Sequence, residues 1–168
     1  IKRRGYPSIQ ERRWFRRLMT RDYTSGRVAL GEKNRYGIRP AWITVDLDGA
    51  DINVDCRQHA ILPFPDGSQS IIYSAHTVEH LDEATLAHVL RECHRVLKPG
   101  GALVVNVAAM DVLRGNHSVL SAELRRYNRR QLRALLEHAG FRVEHITYTN
   151  ATLFPVTFGV RVVQRLTG

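Results

Sequence analysis

The chain has 168 residues, 43% of them hydrophobic, and 25 Lys and Arg against 16 Asp and Glu give a formal net charge of +9. One domain with a substantial core fits that length, and the composition excludes a disordered or fibrous chain. Two cysteines, Cys56 and Cys93, exclude a disulfide framework, and no apolar run approaches the ~20 residues of a membrane-spanning helix.

The first forty residues hold twelve Lys and Arg against Glu11, Asp22 and Glu32, so the whole charge excess belongs to them, and the rest of the chain is balanced. Ser8 can cap a helix over Ile9–Met19, with Glu11 completing a capping box. Trp14, Phe15, Leu18 and Met19 make one apolar stripe on that helix, with arginines opposite. We therefore divide the chain into a basic helical arm, 1–26, and a domain, 27–168. Residues 1–40 suit nucleic acid, an anionic membrane surface or a phosphorylated substrate, or form a solvated face. The opening IKRRGYPSIQ has no apolar segment and is not expected to be a signal peptide. With cysteines expected to stay reduced, this points to a cytoplasmic protein.

Arg27–Leu30 reads as a first strand running into Gly31. The polar link Glu32–Pro40 is short for a helical crossover. Trp42–Asp48 is a second strand carrying Asp46, and Gly49 turns the chain into a third over Asp51–Cys56. Pro63, Pro65 and Gly67 hold a rigid loop, followed by a strand over Ile71–His76. Asp82 caps a helix through Leu97, with Leu86, Val89, Leu90 and Cys93 at helical spacing, and Pro99-Gly100-Gly101 is expected to stop it before a strand over Ala102–Ala108. Residues 109–127 read as an irregular segment over the strand ends. Asn128 caps a helix over Arg129–His138, and Phe141–Thr149 alternates as a further strand. A helix after Pro155 is expected to pack on the sheet, with a membrane interface as the other reading.

Strands alternating with helices predict an α/β fold: a Rossmann-like, mostly parallel twisted sheet with flanking helices and a shortened first crossover. Ligands of such sheets sit beyond the carboxyl ends of the strands, where strand order reverses. Asp46, Asp55 and His76 end apolar runs and are the candidates for that edge.

Asp46 ending the second strand, Asp55 followed by LPFPDGS, then VEHL, RVLKPGGALVV and RRYNRRQLRALLEHAGFRVEHITYTNATLFP together resemble class I S-adenosylmethionine-dependent methyltransferases of the small-molecule kind called type 11, over about Arg27 to Pro155. The resemblance implies S-adenosylmethionine as cofactor and a small-molecule or lipid-linked sugar as methyl acceptor. It implies that Gly31 lies by the methionine part and that Asp46, next to Leu47, accepts the ribose hydroxyls. By the same resemblance Asp55 and Cys56 flank adenine, Leu62 and Phe64 close over it, and Ser74, Ala75 and His76 lie below the methyl donor. The sequence departs from the family at Lys33, where a second glycine is expected, and at Ser70, where Asp is frequent. Lys33 either meets the methionine carboxylate or weakens binding by repelling the sulfonium.

Methyl transfer needs no catalytic acid for its neutral leaving group, but an oxygen or nitrogen acceptor can need a base, for which His76, His80 and His117 are candidates. Arg114, Arg125 and Arg126 point to an anionic acceptor. Two rival readings remain: an inactive methyltransferase-like binding or partner subunit, and a zinc hydrolase using His76-Thr77-Val78-Glu79-His80, which matches H-x-x-E-H. The second needs His76 and His80 on one helix face. No resident metal is expected.

Overall fold

A computed structural model describes residues 26–31, 42–58, 61–115, 122–149 and 154–167. The expected arm helix, the first crossover with Lys33, and His117 lie outside the described residues. Five strands, β1 (Arg27–Leu30), β2 (Ile43–Asp46), β3 (Ile52–Asn53), β4 (Gln69–Ala75) and β5 (Leu97–Asn106), form one sheet in the order β3-β2-β1-β4-β5. Every neighbouring pair is parallel, so the predicted sheet is present and its winding reverses between β1 and β4. The central strands are near-continuous apolar runs, as strands covered on both faces must be: Val28, Ala29, Leu30, Ile71 and Ile72 are buried.

Helix α1 (Glu83–Val96) starts where predicted, with the Asp82 carboxylate accepting from the Thr85 amide (3.0 Å) and hydroxyl (2.6 Å). Its Leu86, Val89, Leu90, Cys93 and Val96 join Val28, Leu30, Val45 and Ile72 in the main core. A smaller core on the opposite face joins Ala29, Trp42 and Ile71. Helix α2 (Arg129–His138) carries the full capping box between Asn128 and Gln131.

Four expectations are corrected. Pro99-Gly100-Gly101 does not precede the fifth strand but forms a bulge inside it: Gln69 pairs with Leu97, and two residues later Ile71 pairs with Ala102. A Cβ on Gly101 would come within 2.9 Å of the Lys98 carbonyl and 3.2 Å of that of Ser70. The third strand is two residues long, because the Asp55 carboxylate accepts from the Arg57 amide (3.0 Å) and closes a 3₁₀ turn, Cys56–Gln58. Residues 141–148 pair with no strand among the described residues. Their alternation breaks at Glu144 and His145, both outward, so Phe141 and Val143 are out of phase with Ile146. Instead Phe141 and Ile146 lean on the core and the Tyr148 hydroxyl accepts from the Arg129 amide. Finally, α3 (Phe154–Thr167) packs on the 3₁₀ turn Asp111–Leu113 rather than on the sheet.

Candidate active site

A parallel sheet puts all its carboxyl ends on one edge, here Leu30, Asp46, Asn53, Ala75 and Asn106. At the switch point between β1 and β4, Gly31 has φ +76° and its amide donates to the Val45 carbonyl (2.7 Å). A Cβ there would overlap the Thr77 hydroxyl, which lies 3.3 Å from the Leu30 and Ala75 carbonyls. Glycine is thus required by the closure of β1 against the turn after β4, a local cause separate from any approach by a ligand.

Asp46 is half-buried at the tip of β2, and its Oδ1 accepts from the Leu47 amide at 2.6 Å, which leaves Oδ2 for another donor. The turn from β2 to β3 is held from behind: the Thr44 amide and hydroxyl both donate to Asp51 Oδ2 at 2.9 Å. Asp55 is held by a two-pronged pair with Arg57 (2.9 and 3.1 Å) and by Gln58 (3.2 Å), and the Arg57 bonds keep its carboxyl below the usual range. Cys56 follows Asp55 in the chain and opens the 3₁₀ turn. Burial raises its thiol pKa most, and the charges of Asp55 and Asp46 raise it further. Leu62 and Phe64, expected as a cover, are buried in the main core.

These charges can be read through the thiol. Native Cys93, buried and pushed up to about 12, is expected to resist iodoacetamide at pH 8, while Cys56 reacts slowly. Asp46→Asn or Asp55→Asn should speed Cys56 severalfold, because each removes a charge that opposes the thiolate. Equal alkylation rates in all three proteins would show that the carboxylates do not reach it.

Near the carboxyl end of β4, Ser74 is buried and its hydroxyl has no hydrogen-bond partner among the described residues. His76 sits just past the strand at φ +55°, with its amide donating to the Asn106 carbonyl (2.9 Å) and Nδ1 3.0 Å from Glu79 Oε1. The His76 side chain is 66% exposed and that of Glu79 1%. His80 turns away: its Nδ1 bonds the Ala122 carbonyl at 3.1 Å. His76 and His80 thus do not share a helix face, since the Val78–His80 segment is a 3₁₀ turn that begins after His76. Among the described residues no group of three His, Cys, Asp or Glu could hold a metal ion. The arrangement does not fit the zinc reading.

The segment after β5 is strapped to this edge. The Leu124 and Arg125 amides donate to the Glu79 carbonyl (2.8 and 3.4 Å), and Tyr127 bridges to Ala109. Arg114 and Arg126 serve as internal staples: Arg114 donates to the Glu123 and Leu124 carbonyls, and Arg126 to the Glu123 carboxylate and the Ala109 carbonyl. Arg125 stands 4.0 Å from Glu83 and beside the buried Tyr127. The three described non-glycine residues with positive φ are His76, Met110 and Ala122. One follows β4, one follows β5, and the third accepts the His80 bond, so local strain gathers where the site is expected. Sequence reasoning missed the roles of Glu79 and Tyr127. The position of Glu79 in HTVEH is the available signal for it.

The profile of a family described as a methyltransferase domain matches residues 15–105. A Mycolicibacterium smegmatis protein named as a probable S-adenosylmethionine-dependent methyltransferase is 31% identical over 131 residues, covering 77% of this chain and 45% of its own. A malonyl-[acyl-carrier protein] O-methyltransferase of Coxiella burnetii is 39% identical over 72 residues, 43% of this chain and 25% of its own. The chain thus spans less than half the length of either relative. Among solved structures, phosphoethanolamine N-methyltransferase 2 of Haemonchus contortus, in complex with S-adenosyl-L-methionine, superposes with a TM-score of 0.62 at 14% identity. That match covers 92% of this chain and 41% of the other. An S-adenosylmethionine-dependent methyltransferase of Archaeoglobus fulgidus gives 0.54 at 16% identity, covering 93% and 87%.

Proposed function

The chain belongs to the class I S-adenosylmethionine-dependent methyltransferases, and from that membership we propose that it moves a methyl group from S-adenosylmethionine to a small-molecule or lipid-linked sugar acceptor. The observation that carries this reading is Asp46 at the carboxyl tip of β2, on the edge where the strand order reverses, with one carboxylate oxygen on the Leu47 amide and the other left for a donor. That edge suits a nucleoside. Asp46 offers acceptor oxygens to a diol, and the buried Ser74 hydroxyl and the Gly31 turn supply further polar surface. When bound, S-adenosylmethionine supplies an activated methyl group on a sulfonium whose departure needs no proton.

The protein's own contribution is then to hold and orient, which can supply much of the rate. Asp46, next to Leu47, holds the ribose. Asp55 and Cys56 border the adenine, and Gly31, Ser74 and His76 border the methionine part. His76, oriented by Glu79 at 3.0 Å, is the base for an acceptor proton. His80 is a weaker candidate, since one ring nitrogen is committed to Ala122. An anionic acceptor would be met by Arg125, because Arg114 and Arg126 are committed inside the segment. The division into arm 1–26 and domain 27–168, and contact of residues 1–40 with nucleic acid or an anionic membrane, belong to the same proposal. So does a cytoplasmic location, with both cysteines free and no described helix long and apolar enough to cross a membrane.

Calorimetric titration tests the reading. Micromolar binding of both S-adenosylmethionine and S-adenosylhomocysteine is expected. No heat from either, in a protein whose circular dichroism shows it folded, would favour a binding or partner subunit over an enzyme.

A further inference from the structure

A carboxylate shut away from water is costly unless a cation and further donors surround it. Glu92 and Glu123 meet that condition: they are 11% and 9% exposed, and each pairs with an arginine, Arg95 at 2.7 Å and Arg126 at 2.9 Å. Glu79 does not. Its side chain is 1% exposed, and no lysine or arginine side chain pairs with it among the described residues. Oε1 meets His76 at 3.0 Å, and Oε2 has no hydrogen-bond partner. The buried hydroxyls of Ser74, on β4, and Tyr127, in the segment after β5, are unpartnered too. Unsatisfied buried groups that gather at one edge call for a cause outside stability.

We infer that Glu79 sets the charge preference of the donor site: its carboxylate favours the sulfonium of S-adenosylmethionine over the neutral thioether of S-adenosylhomocysteine. The inference rests on the donor placement proposed above, in which His76 borders the methionine part. The two ligands share adenine, ribose and amino acid, and differ by one methyl group and one positive charge at sulfur. Asp46, Asp55 and Gly31 are assigned to the shared parts. Glu79, fixed to His76, brings an unneutralised charge to the part that differs. Contact is not required. At an effective dielectric near ~20, unit charges ~6 Å apart change affinity by about two decades, and at ~10 Å by still about one. Burial keeps salt from screening the carboxylate. Arg125, whose amide bonds the Glu79 carbonyl, sends its guanidinium to Glu83 at 4.0 Å and so leaves that charge standing. Once the methyl has been transferred the favoured charge is gone from the sulfur, and the product yields to fresh donor.

The test is the ratio of two dissociation constants, from calorimetric titration of the whole chain with S-adenosylmethionine and with S-adenosylhomocysteine. It is run at pH 8, above the ordinary histidine range. Glu79→Gln is isosteric and keeps an oxygen for His76. It is expected to lower the relative preference for S-adenosylmethionine by about tenfold or more. Glu79→Asp keeps the charge, and its ratio should stay within about threefold of wild type. Asp46→Asn, which acts on the ribose that both ligands share, should weaken both and leave the ratio in place. An unchanged ratio in Glu79→Gln would overturn the inference. So would a fall in Glu79→Asp as large as in Glu79→Gln, since packing and not charge would then be the cause. If Glu79→Gln does not fold, Glu79→Asp decides alone: a wild-type ratio supports the inference and a tenfold fall overturns it. No heat from either ligand with the wild-type chain is a different result, and removes the donor-binding reading itself.

Discussion

Arg95→Ala is expected to lower stability by about 2–4 kcal/mol, read as a fall in the urea midpoint, and to loosen the 62–66 loop with it. Arg95 ends α1 and reaches back to 62–66. It donates to the Leu62 and Phe64 carbonyls at 3.0 Å, to Asp66 at 2.6 Å, and to both oxygens of Glu92 at 2.9 and 2.7 Å. Glu92 in turn accepts from the Leu62 amide at 2.9 Å, so one ion pair fixes both ends of the loop peptide. Removing the guanidinium strands a nearly buried carboxylate and two carbonyls. The Asp66 contact adds little, since that carboxylate is mostly exposed. Lysine supplies a charge but no fork, so Arg95→Lys should recover less than half of the loss.

The same pair fixes a pH signature. The Arg95 bonds hold the Glu92 carboxyl below its usual range. A lowered folded pKa stabilises fully above the unfolded value, near ~4.3, and the stabilisation is lost as pH falls through the folded value. The gap between wild type and Arg95→Ala should therefore be full at neutral pH and narrow as pH drops below ~4. A gap that stays constant down to pH 2 would mean that the charge of Glu92 is not what Arg95 stabilises.

What could be read in the sequence was set by how local the cause is. The caps at Asp82 and Asn128 and the apolar stripe of α1 depend on residues within one turn of each other, and the structure has all of them. The parallel sheet followed from the alternation of short apolar runs with a helix. Where the cause is distant, the reading failed. KPGG looks like a helix stop followed by a gap, yet β4 recruits Leu97 and makes the gap a bulge. Phe141–Thr149 alternates well enough to predict a strand, but the alternation breaks at Glu144-His145 and the segment pairs with no strand among the described residues. Beyond its local pair with Glu92, Arg95 is an ordinary arginine in the sequence because its partners Leu62, Phe64 and Asp66 lie about thirty residues away. The tip of β2, by contrast, was legible as Asp46 ending an apolar run, while Asp55 and His76 lie just past their strands. How Asp55 is tied to Arg57 and Gln58 needed coordinates.

The largest effect on ligand binding is expected at Asp46. As a diol acceptor its carboxylate makes two charge-assisted hydrogen bonds at roughly 1.5–3 kcal/mol each, so Asp46→Ala should weaken S-adenosylhomocysteine by about two to four decades in Kd. Alanine also removes the acceptor of the Leu47 amide and could act through the turn alone. Asp46→Asn separates the two causes: its amide oxygen can keep the Leu47 bond while its NH2 faces the ribose as a donor. If the ribose is the partner, the asparagine variant should bind nearly as poorly as alanine while keeping the wild-type urea midpoint. Asp55→Asn makes the contrast. Its carboxylate is already committed to Arg57 and Gln58, so it should cost less than about tenfold. An Asp46→Asn protein that binds S-adenosylhomocysteine as wild type does would remove the ribose from Asp46, and equal losses at Asp46 and Asp55 would point to a general disturbance of the β2–β3 turn. A deep loss at Asp46 with a shallow one at Asp55 is the pattern that the geometry of this edge requires.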